Sequence, residues 1–163
     1  MNSFATWLES TFMNKLMVDI FWMFPLMETI HFVGLILLFG ALLVVDGRVL
    51  GWGRFINMKA AMSFIPVAIV AFSLNLITGI FFVASQPAVY FGNMVFQWKM
   101  ALIVIAGINA LWFWFGEHKE LLRLADGQEA PFRAKVIALA SLVIWVLVII
   151  GGRMIPYGPG GTG

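Results

Sequence analysis

Four long apolar stretches constrain the fold of this chain more than any other feature. They lie at about residues 21–45, 60–84, 95–115 and 136–155. The hydrocarbon core of a bilayer is about 30 Å thick, and about 20 residues of α-helix cross it. A helix also satisfies its own backbone polar groups, which lipid cannot do. The sequence therefore predicts an all-α membrane protein built as a bundle of four transmembrane helices.

The composition does not favour an additional water-soluble domain. Hydrophobic residues make up 62% of the 163 residues and charged residues 11%, whereas about a quarter of a soluble domain is charged. We expect a single transmembrane domain over residues 1–157, followed by a flexible Gly- and Pro-rich tail at residues 158–163. The chain contains no cysteine, which excludes disulfides, thiolate metal sites and thiol nucleophiles.

The segment before the first apolar stretch has an amphipathic pattern. Residues 3–19 place Phe4, Trp7 and Phe12 at close to helical spacing among polar residues such as Glu9 and Lys15. Such a helix lies in the plane of the membrane surface, with its apolar face against the lipid. We therefore predict an interfacial helix over residues 3–19.

The distribution of lysine and arginine predicts the orientation. Two of the three connections between the spans carry most of these cations, namely Arg48, Arg54, Lys59, Lys119, Arg123, Arg133 and Lys135. The connection at residues 85–94 carries none. Because short cytoplasmic loops are enriched in Lys and Arg, we expect a bacterial inner-membrane protein with both termini in the periplasm. The same rule explains the basic charge, so the expected partners include membrane lipids and exclude nucleic acid.

Four ionisable residues fall inside the spans, where each is expensive unless it is paired or functional. Glu28 and His31 lie one helical turn apart on the first span, Lys99 lies at the start of the third, and Arg153 lies near the end of the fourth. The predicted topology brings all four to a similar depth in the periplasmic half of the bilayer. This convergence of three helices is the main indication of a functional site.

A haem would account for this set of residues. A histidine facing a bundle interior is a suitable axial ligand of haem iron, and Lys99 and Arg153 would pair with the two propionates. We include Trp98, Asn75 and Asn109 in the candidate site, the two amides because they bond across helices or to a ligand. Glycines at four positions either leave space for a flat macrocycle or allow helices to pack closely: Gly34, Gly40, Gly79 and Gly107.

Two other interpretations remain open on the same residues. In the first, Glu28 forms an ion pair with Lys99 or Arg153 that holds the helices together, and the protein is a structural subunit without a ligand. In a second interpretation, the protein handles protons or copper, and copper would need soft donors such as Met27 or Met154.

His118 lies about a membrane thickness from His31, so it is either a second haem ligand or a solvated residue at a helix end.

Several short motifs resemble an uncharacterised bacterial family of small four-helix membrane proteins. The matching segments are Pro-Leu-Met-Glu-Thr-Ile-His at residues 25–31, Val-Asp-Gly-Arg-Val-Leu-Gly at 45–51, Phe-Gln-Trp-Lys at 96–99 and Gly-Ile-Asn-Ala at 107–110. More distantly, the chain is similar to four-helix, haem-dependent protoporphyrinogen oxidases and to copper-resistance membrane domains. The oxidase resemblance implies haem binding by His31 and Lys99. The chain lacks the Trp-Met-Ala-Gly run of those enzymes, so their reaction is not carried over.

The sequence thus predicts a membrane-bound b-type haem protein with a redox or electron-transfer role near the periplasmic face. A haem-dependent oxidoreductase activity is compatible with this prediction, and a quinone or a redox protein is the expected partner. The bulky aromatic residues on so small a bundle also favour a homo-oligomer. The sequence contains no nucleotide-binding loop, zinc-protease helix or serine-hydrolase elbow, which argues against ATPase and hydrolase functions.

Overall fold

The computed structural model describes residues 3–125 and 127–158, and within these ranges the chain is helical without any strand. Most of the predicted tail, residues 159–163, lies outside the described residues. The α-helices are α1 (Ser3–Glu9), α2 (Phe12–Asp19), α3 (Met23–Leu50), α4 (Met58–Met62), α5 (Ile65–Ser85), α6 (Pro87–Gly92), α7 (Met94–Trp112), α8 (His118–Leu121) and α9 (Phe132–Met154).

Four helical segments of the described chain are long and apolar enough to cross a membrane. Span 1 is Met23–Leu50, span 2 is Met58–Ser85, span 3 is Met94–Leu121 and span 4 is Phe132–Tyr157. This confirms the prediction of an all-α, multi-pass membrane protein with four transmembrane helices. Since there are four spans, the start of span 1 and the end of span 4 lie at one end of the bundle, which we call the terminal end. The opposite end, with the connections at residues 51–57 and 122–131, is the connector end.

The helices extend beyond the apolar stretches at the connector end. Span 1 ends at Leu50 instead of residue 45, because the helix stops only at Gly51, whose φ of +95° is a left-handed cap that favours glycine. Span 3 continues past residue 115 through a π-helical turn, Phe113–Glu117, into α8. Polar residues such as Arg48 therefore lie on helices, although hydropathy alone predicted that spans 1 and 3 end before them.

Span 2 is interrupted near its start, between α4 and α5. Helices α4 and α5 are separated by Ser63 and Phe64, and Pro66 occupies the first turn of α5. A proline is tolerated there because the backbone nitrogens of the first turn have no partner within the helix. The interruption therefore lies at Ser63 and Phe64, nearer the connector end than Pro66.

The N-terminal segment forms two short helices instead of the single predicted one. Thr11 interrupts it, because its hydroxyl accepts a hydrogen bond from the backbone nitrogen of Asn14 and so begins α2. Asn14 then donates to the carbonyl oxygens of Ala84 (2.8 Å) and Ser85 (3.2 Å) at the end of α5. The segment is thus fixed to the terminal end of the bundle, with Phe12 exposed and Met17 buried.

The spans do not pack equally. Helix α3 packs against both α5 and α9, and α7 packs against α9. Large side chains fill the space between non-adjacent helices, as in the contact of Phe72 on α5 with Trp145 on α9, whose ring centroids are 6.0 Å apart. Among the described residues, α5 and α7 share no comparable interface although they are consecutive spans. The bundle therefore has one weakly closed edge, which we call the α5/α7 edge.

A compact core closes the connector end. Val45, Val49, Met58 and Leu121 are buried together, next to the guanidinium of Arg48, which is only 1% exposed. Arg48 donates from Nε to the carbonyl oxygen of Ile56 (2.6 Å) and from a terminal nitrogen to that of Gln128 (3.5 Å). One buried cation thereby holds both connections of this end in place.

Exposed charges form a second link between the same two connections. Glu129 accepts a hydrogen bond from Lys135 (2.7 Å) and also pairs with Arg54. The hydrogen bond from Lys135 and the positive charge of Arg54 hold the pKa of Glu129 below its usual range. This carboxylate therefore stays ionised and pairs with two of the cations at the connector end.

At the terminal end, Asn93 joins α7 to the end of span 4. The side chain is fully buried, and its oxygen accepts hydrogen bonds from the backbone nitrogens of Val95 (2.9 Å) and Phe96 (3.2 Å). Its amide nitrogen donates to the carbonyl oxygen of Ile155 at 2.8 Å. The same side chain thus caps one helix and satisfies a carbonyl at the end of another.

We expect Asn93→Ala to lower the free energy of unfolding by about 2 kcal/mol, because it removes a helix cap and leaves buried backbone groups unpaired. Asn93→Ser, which keeps an acceptor for the cap, should lose less. The measurement is reversible unfolding in mixed detergent micelles. Gln97→Ala is the control, since Gln97 is an exposed amide on the same helix. Equal losses for the Asn93→Ala and Gln97→Ala variants would contradict the role of Asn93.

Candidate functional site

His31 is held by a hydrogen bond to Thr78. Its Nδ1 on α3 lies 2.7 Å from Oγ1 of Thr78 on α5. The Thr78 hydroxyl is also 2.9 Å from the carbonyl oxygen of Leu74 and 3.2 Å from that of Asn75. A hydroxyl has one proton. When the Thr78 hydroxyl donates it to one of these carbonyls, Oγ1 accepts from the Nδ1–H of His31, and the lone pair of the imidazole is then on Nε2.

The surroundings of His31 are aromatic and mostly apolar. Phe82, one turn from Thr78 on α5, meets the imidazole edge-on with ring centroids 5.5 Å apart, and Phe24 packs against Phe82. Thr78 is buried and His31 half-buried. The described residues offer no hydrogen-bond partner for Nε2 of His31. That nitrogen is therefore available as a ligand or as a proton acceptor.

Asn75 lies one turn from Thr78 towards the connector end. Both polar atoms of its amide are buried, and neither has a hydrogen-bond partner in the described structure. A Cβ on Gly34 of α3 would come within 3.0 Å of Oδ1 of Asn75, so Gly34 is a close-packing position. A Cβ on Gly40, Gly79 or Gly107 would meet nothing within 4 Å. Those three glycines are open positions rather than helix contacts.

Lys99 approaches the same site from α7. Its side chain crosses α9 at two glycines, where a Cβ on Gly152 would lie 3.3 Å from Nζ and one on Gly151 would lie 3.7 Å from Cβ of Lys99. The charge of Lys99 acts on His31 across the bundle. Within the described ranges, no carboxylate lies within ion-pair distance of Lys99. Lys99 thus lies in the same half of the bundle as His31, close enough for its charge to act on the imidazole.

The other charged candidates lie on the surface of the terminal end. Arg153 is exposed, and its guanidinium carbon is 5.6 Å from the centroid of the Tyr157 ring. Glu28 is also exposed and forms no ion pair with Lys99 or Arg153 among the described residues. The ion pair between Glu28 and Lys99 or Arg153 that the sequence suggested is therefore not formed. Trp98 is 68% exposed and points away from the packed side of the bundle.

Glu28 instead influences Tyr90 on α6, outside the spans. Burial raises the pKa of the Tyr90 phenol, and the negative charge of Glu28 raises it further. The Tyr90 ring packs edge-on against Phe96, with centroids 5.3 Å apart. The phenol is therefore a neutral group at the terminal end of the bundle.

Asn109 and His118 lie away from this site. Asn109 donates to the carbonyl oxygen of Ile137 at 3.3 Å, which confirms that this amide bonds across helices, from α7 to α9. Ten residues of helix separate it from Lys99, a rise of about 15 Å. His118 follows the π-helical turn at the connector end and stacks on Trp114, with ring centroids 4.4 Å apart. The fold does not bring either side chain to His31.

Two further features escaped the sequence analysis. Thr78 was not identified, although its position three residues after Asn75 on an apolar helix could have indicated a shared face. Asp46 was also not recognised as buried. It is 4% exposed and bonded to the hydroxyl of Ser141, while its Oδ2 has no hydrogen-bond partner in the described structure. The described residues contain no group of three or more His, Cys, Asp or Glu that could bind a metal ion.

Comparisons of the chain with protein families, curated proteins and solved structures find no match. The functional argument therefore rests on the geometry of the site.

We predict that Thr78→Val will release the imidazole of His31, because valine cannot accept the Nδ1–H. In isotope-labelled protein in detergent, nitrogen chemical shifts should show a single Nδ1–H tautomer for wild-type His31 and a mixture for the variant. Thr78→Ser should preserve the single tautomer. His118 serves as the internal reference, and an unchanged His31 tautomer in Thr78→Val would contradict the assignment.

Proposed function

We propose that this protein is a membrane-bound b-type haem protein in which Nε2 of His31 would hold the iron. The observation that carries the proposal is the hydrogen bond between Nδ1 of His31 and Oγ1 of Thr78. Histidines that bind metals usually donate the other ring N–H to a fixed acceptor, which sets the tautomer and the orientation of the ring. Thr78 provides such an acceptor from a neighbouring helix.

The available donors suit a haem better than a bare metal ion. A porphyrin brings four nitrogen ligands of its own, so one protein side chain is enough to hold the iron. A copper or zinc ion bound only by protein needs several donors, and the described residues offer no cluster of three His, Cys, Asp or Glu. A single oriented histidine in an aromatic setting is therefore more consistent with haem.

Lys99 supports the same proposal through its charge. A cation inside a membrane span is expensive unless an anion or water accompanies it, and the described carboxylates do not pair with Lys99. A haem propionate would supply the anion. Arg153, at the same end of the bundle, would pair with the second propionate by moving off the ring of Tyr157.

A bound haem would supply one-electron redox chemistry at the terminal end of the bundle. His31 would hold the iron, Thr78 would keep the imidazole oriented, and Phe82 and Phe24 would exclude water from the ring. The terminal end is the side from which an electron partner would approach, either a quinone from the membrane or a redox protein. If a substrate reaches the iron, the protein would be a haem-dependent oxidoreductase. Its exposed apolar faces would also allow it to form a homo-oligomer.

The haem assignment predicts a b-type reduced-minus-oxidised spectrum and a positive pyridine haemochrome for protein expressed with a haem precursor. His31→Ala should remove the Soret band, whereas His118→Ala, the matched control, should retain it. Lys99→Gln should retain the band but bind haem more weakly, by about tenfold for one charge-assisted hydrogen bond. A colourless wild-type protein, or a His31→Ala variant with an unchanged spectrum, would refute the proposal. Copper in the colourless protein would support metal handling instead.

We further propose that the protein resides in a bacterial inner membrane with both termini in the periplasm. The support is the charge difference between the two ends, because Arg54, Lys59, Lys119 and Arg123 lie at the connector end and cytoplasmic loops are rich in such cations.

Because the chain has no cysteine, single introduced thiols can report this orientation. In spheroplasts, a membrane-impermeant maleimide should label Ser10→Cys at the terminal end without lysis. It should label Glu120→Cys at the connector end only after lysis. Both positions are exposed, so the reverse pattern would show the opposite topology.

A further inference from the structure

A cavity lies at the connector end of the α5/α7 edge. Its volume is about 570 Å³, and its lining comes from the start of span 2 and from the chain just after span 3: Asn57, Lys59, Leu122, Arg123, Leu124 and Ala125. The two spans that contribute to it pack weakly against each other along their length. The cavity therefore lies at the end of the membrane spans, between the start of span 2 and the end of span 3.

The charge of this cavity is not neutralised by the described protein. Lys59 and Arg123 are both exposed, and neither forms an ion pair with a described residue. The neighbouring cations Arg54 and Lys135 differ, because both are bound to Glu129. Two cations with no described carboxylate partner thus face the same space at the end of the membrane spans.

The lining also includes apolar groups next to these cations. Leu122 and Leu124 flank Arg123 and are half-buried. Along the helices that lead into the cavity, exposed apolar side chains such as Val67 on α5 and Val104 on α7 continue towards the middle of the membrane. A ligand that matches both parts must carry an anionic group at one end and a hydrocarbon chain at the other.

We propose that this cavity binds the headgroup phosphate of an anionic phospholipid, whose acyl chains lie along the α5/α7 edge. Lys59 and Arg123 bind the phosphate from two different connections, so the lipid bridges span 2 and span 3 where the protein itself provides little contact. The proposal concerns the connector end, about a membrane thickness from His31, and does not depend on haem binding. Arg prefers the bidentate geometry of phosphate, and Lys acts as a point charge.

The test is native mass spectrometry of the full-length protein in detergent, titrated with phosphatidylglycerol, phosphatidylcholine or inorganic phosphate. We expect phosphatidylglycerol to bind at one saturable site and more tightly than phosphatidylcholine. Each of Lys59→Gln and Arg123→Gln should weaken that binding about fivefold, the effect of one cation near an anionic headgroup. Lys119→Gln is the matched control, because Lys119 is exposed at the same end but does not line the cavity.

Each alternative outcome overturns the proposal in a different way. An equal loss in Lys119→Gln would show a diffuse response to surface charge. Equal binding of phosphatidylcholine would show that the net charge of the lipid is not recognised. Displacement of the lipid by inorganic phosphate at a similar concentration would show a free-anion site without a role for the acyl chains. Retention of lipid by both cavity variants, with unchanged affinity, would place the lipid elsewhere.

Discussion

Lipid offers no hydrogen bonds, so the polar groups of a membrane protein must find partners within the chain. Much of the structure follows from this constraint. Asn93 caps α7 and satisfies Ile155, Asn14 occupies the carbonyl groups at the end of α5, and Arg48 holds both connections of the opposite end. Each of these bonds lies at the end of a span. Together these bonds fix where the helices begin and end relative to one another, and the apolar side chains then pack between them.

Against this background, the groups without partners stand out. The amide of Asn75, Oδ2 of Asp46 and the ammonium of Lys99 have no hydrogen-bond or ion-pair partner among the described residues. An unpaired buried polar group costs about 1–3 kcal/mol, so its presence calls for a ligand, water or a functional reason. Two of the three, Asn75 and Lys99, lie in the half of the bundle that contains His31. This concentration is why the proposed cofactor site is placed there.

The sequence predicted the four spans, and it placed His31 and Lys99 in the same half of the bundle, because both depend on length and order along the chain. It did not predict that Glu28 and Arg153 would remain on the surface, since hydropathy gives depth in the membrane but not the direction in which a side chain points. The same limit applies to Thr78, whose hydroxyl gains its role only from its position opposite His31. The split of residues 3–19 at Thr11 likewise depends on a local side-chain bond that competes with the helix.

The sequence by itself determined that lipid is the main solvent of this protein, how many spans it has and at which end of the bundle its cations are concentrated. These properties follow from the free energy of transferring residues into lipid, which is nearly additive along a helix. The tertiary structure decided which helices are neighbours, which side chain bonds to His31 and where the α5/α7 edge is weakly closed. Those outcomes depend on contacts between residues far apart in the chain, and their energies arise only when specific side chains meet across helices.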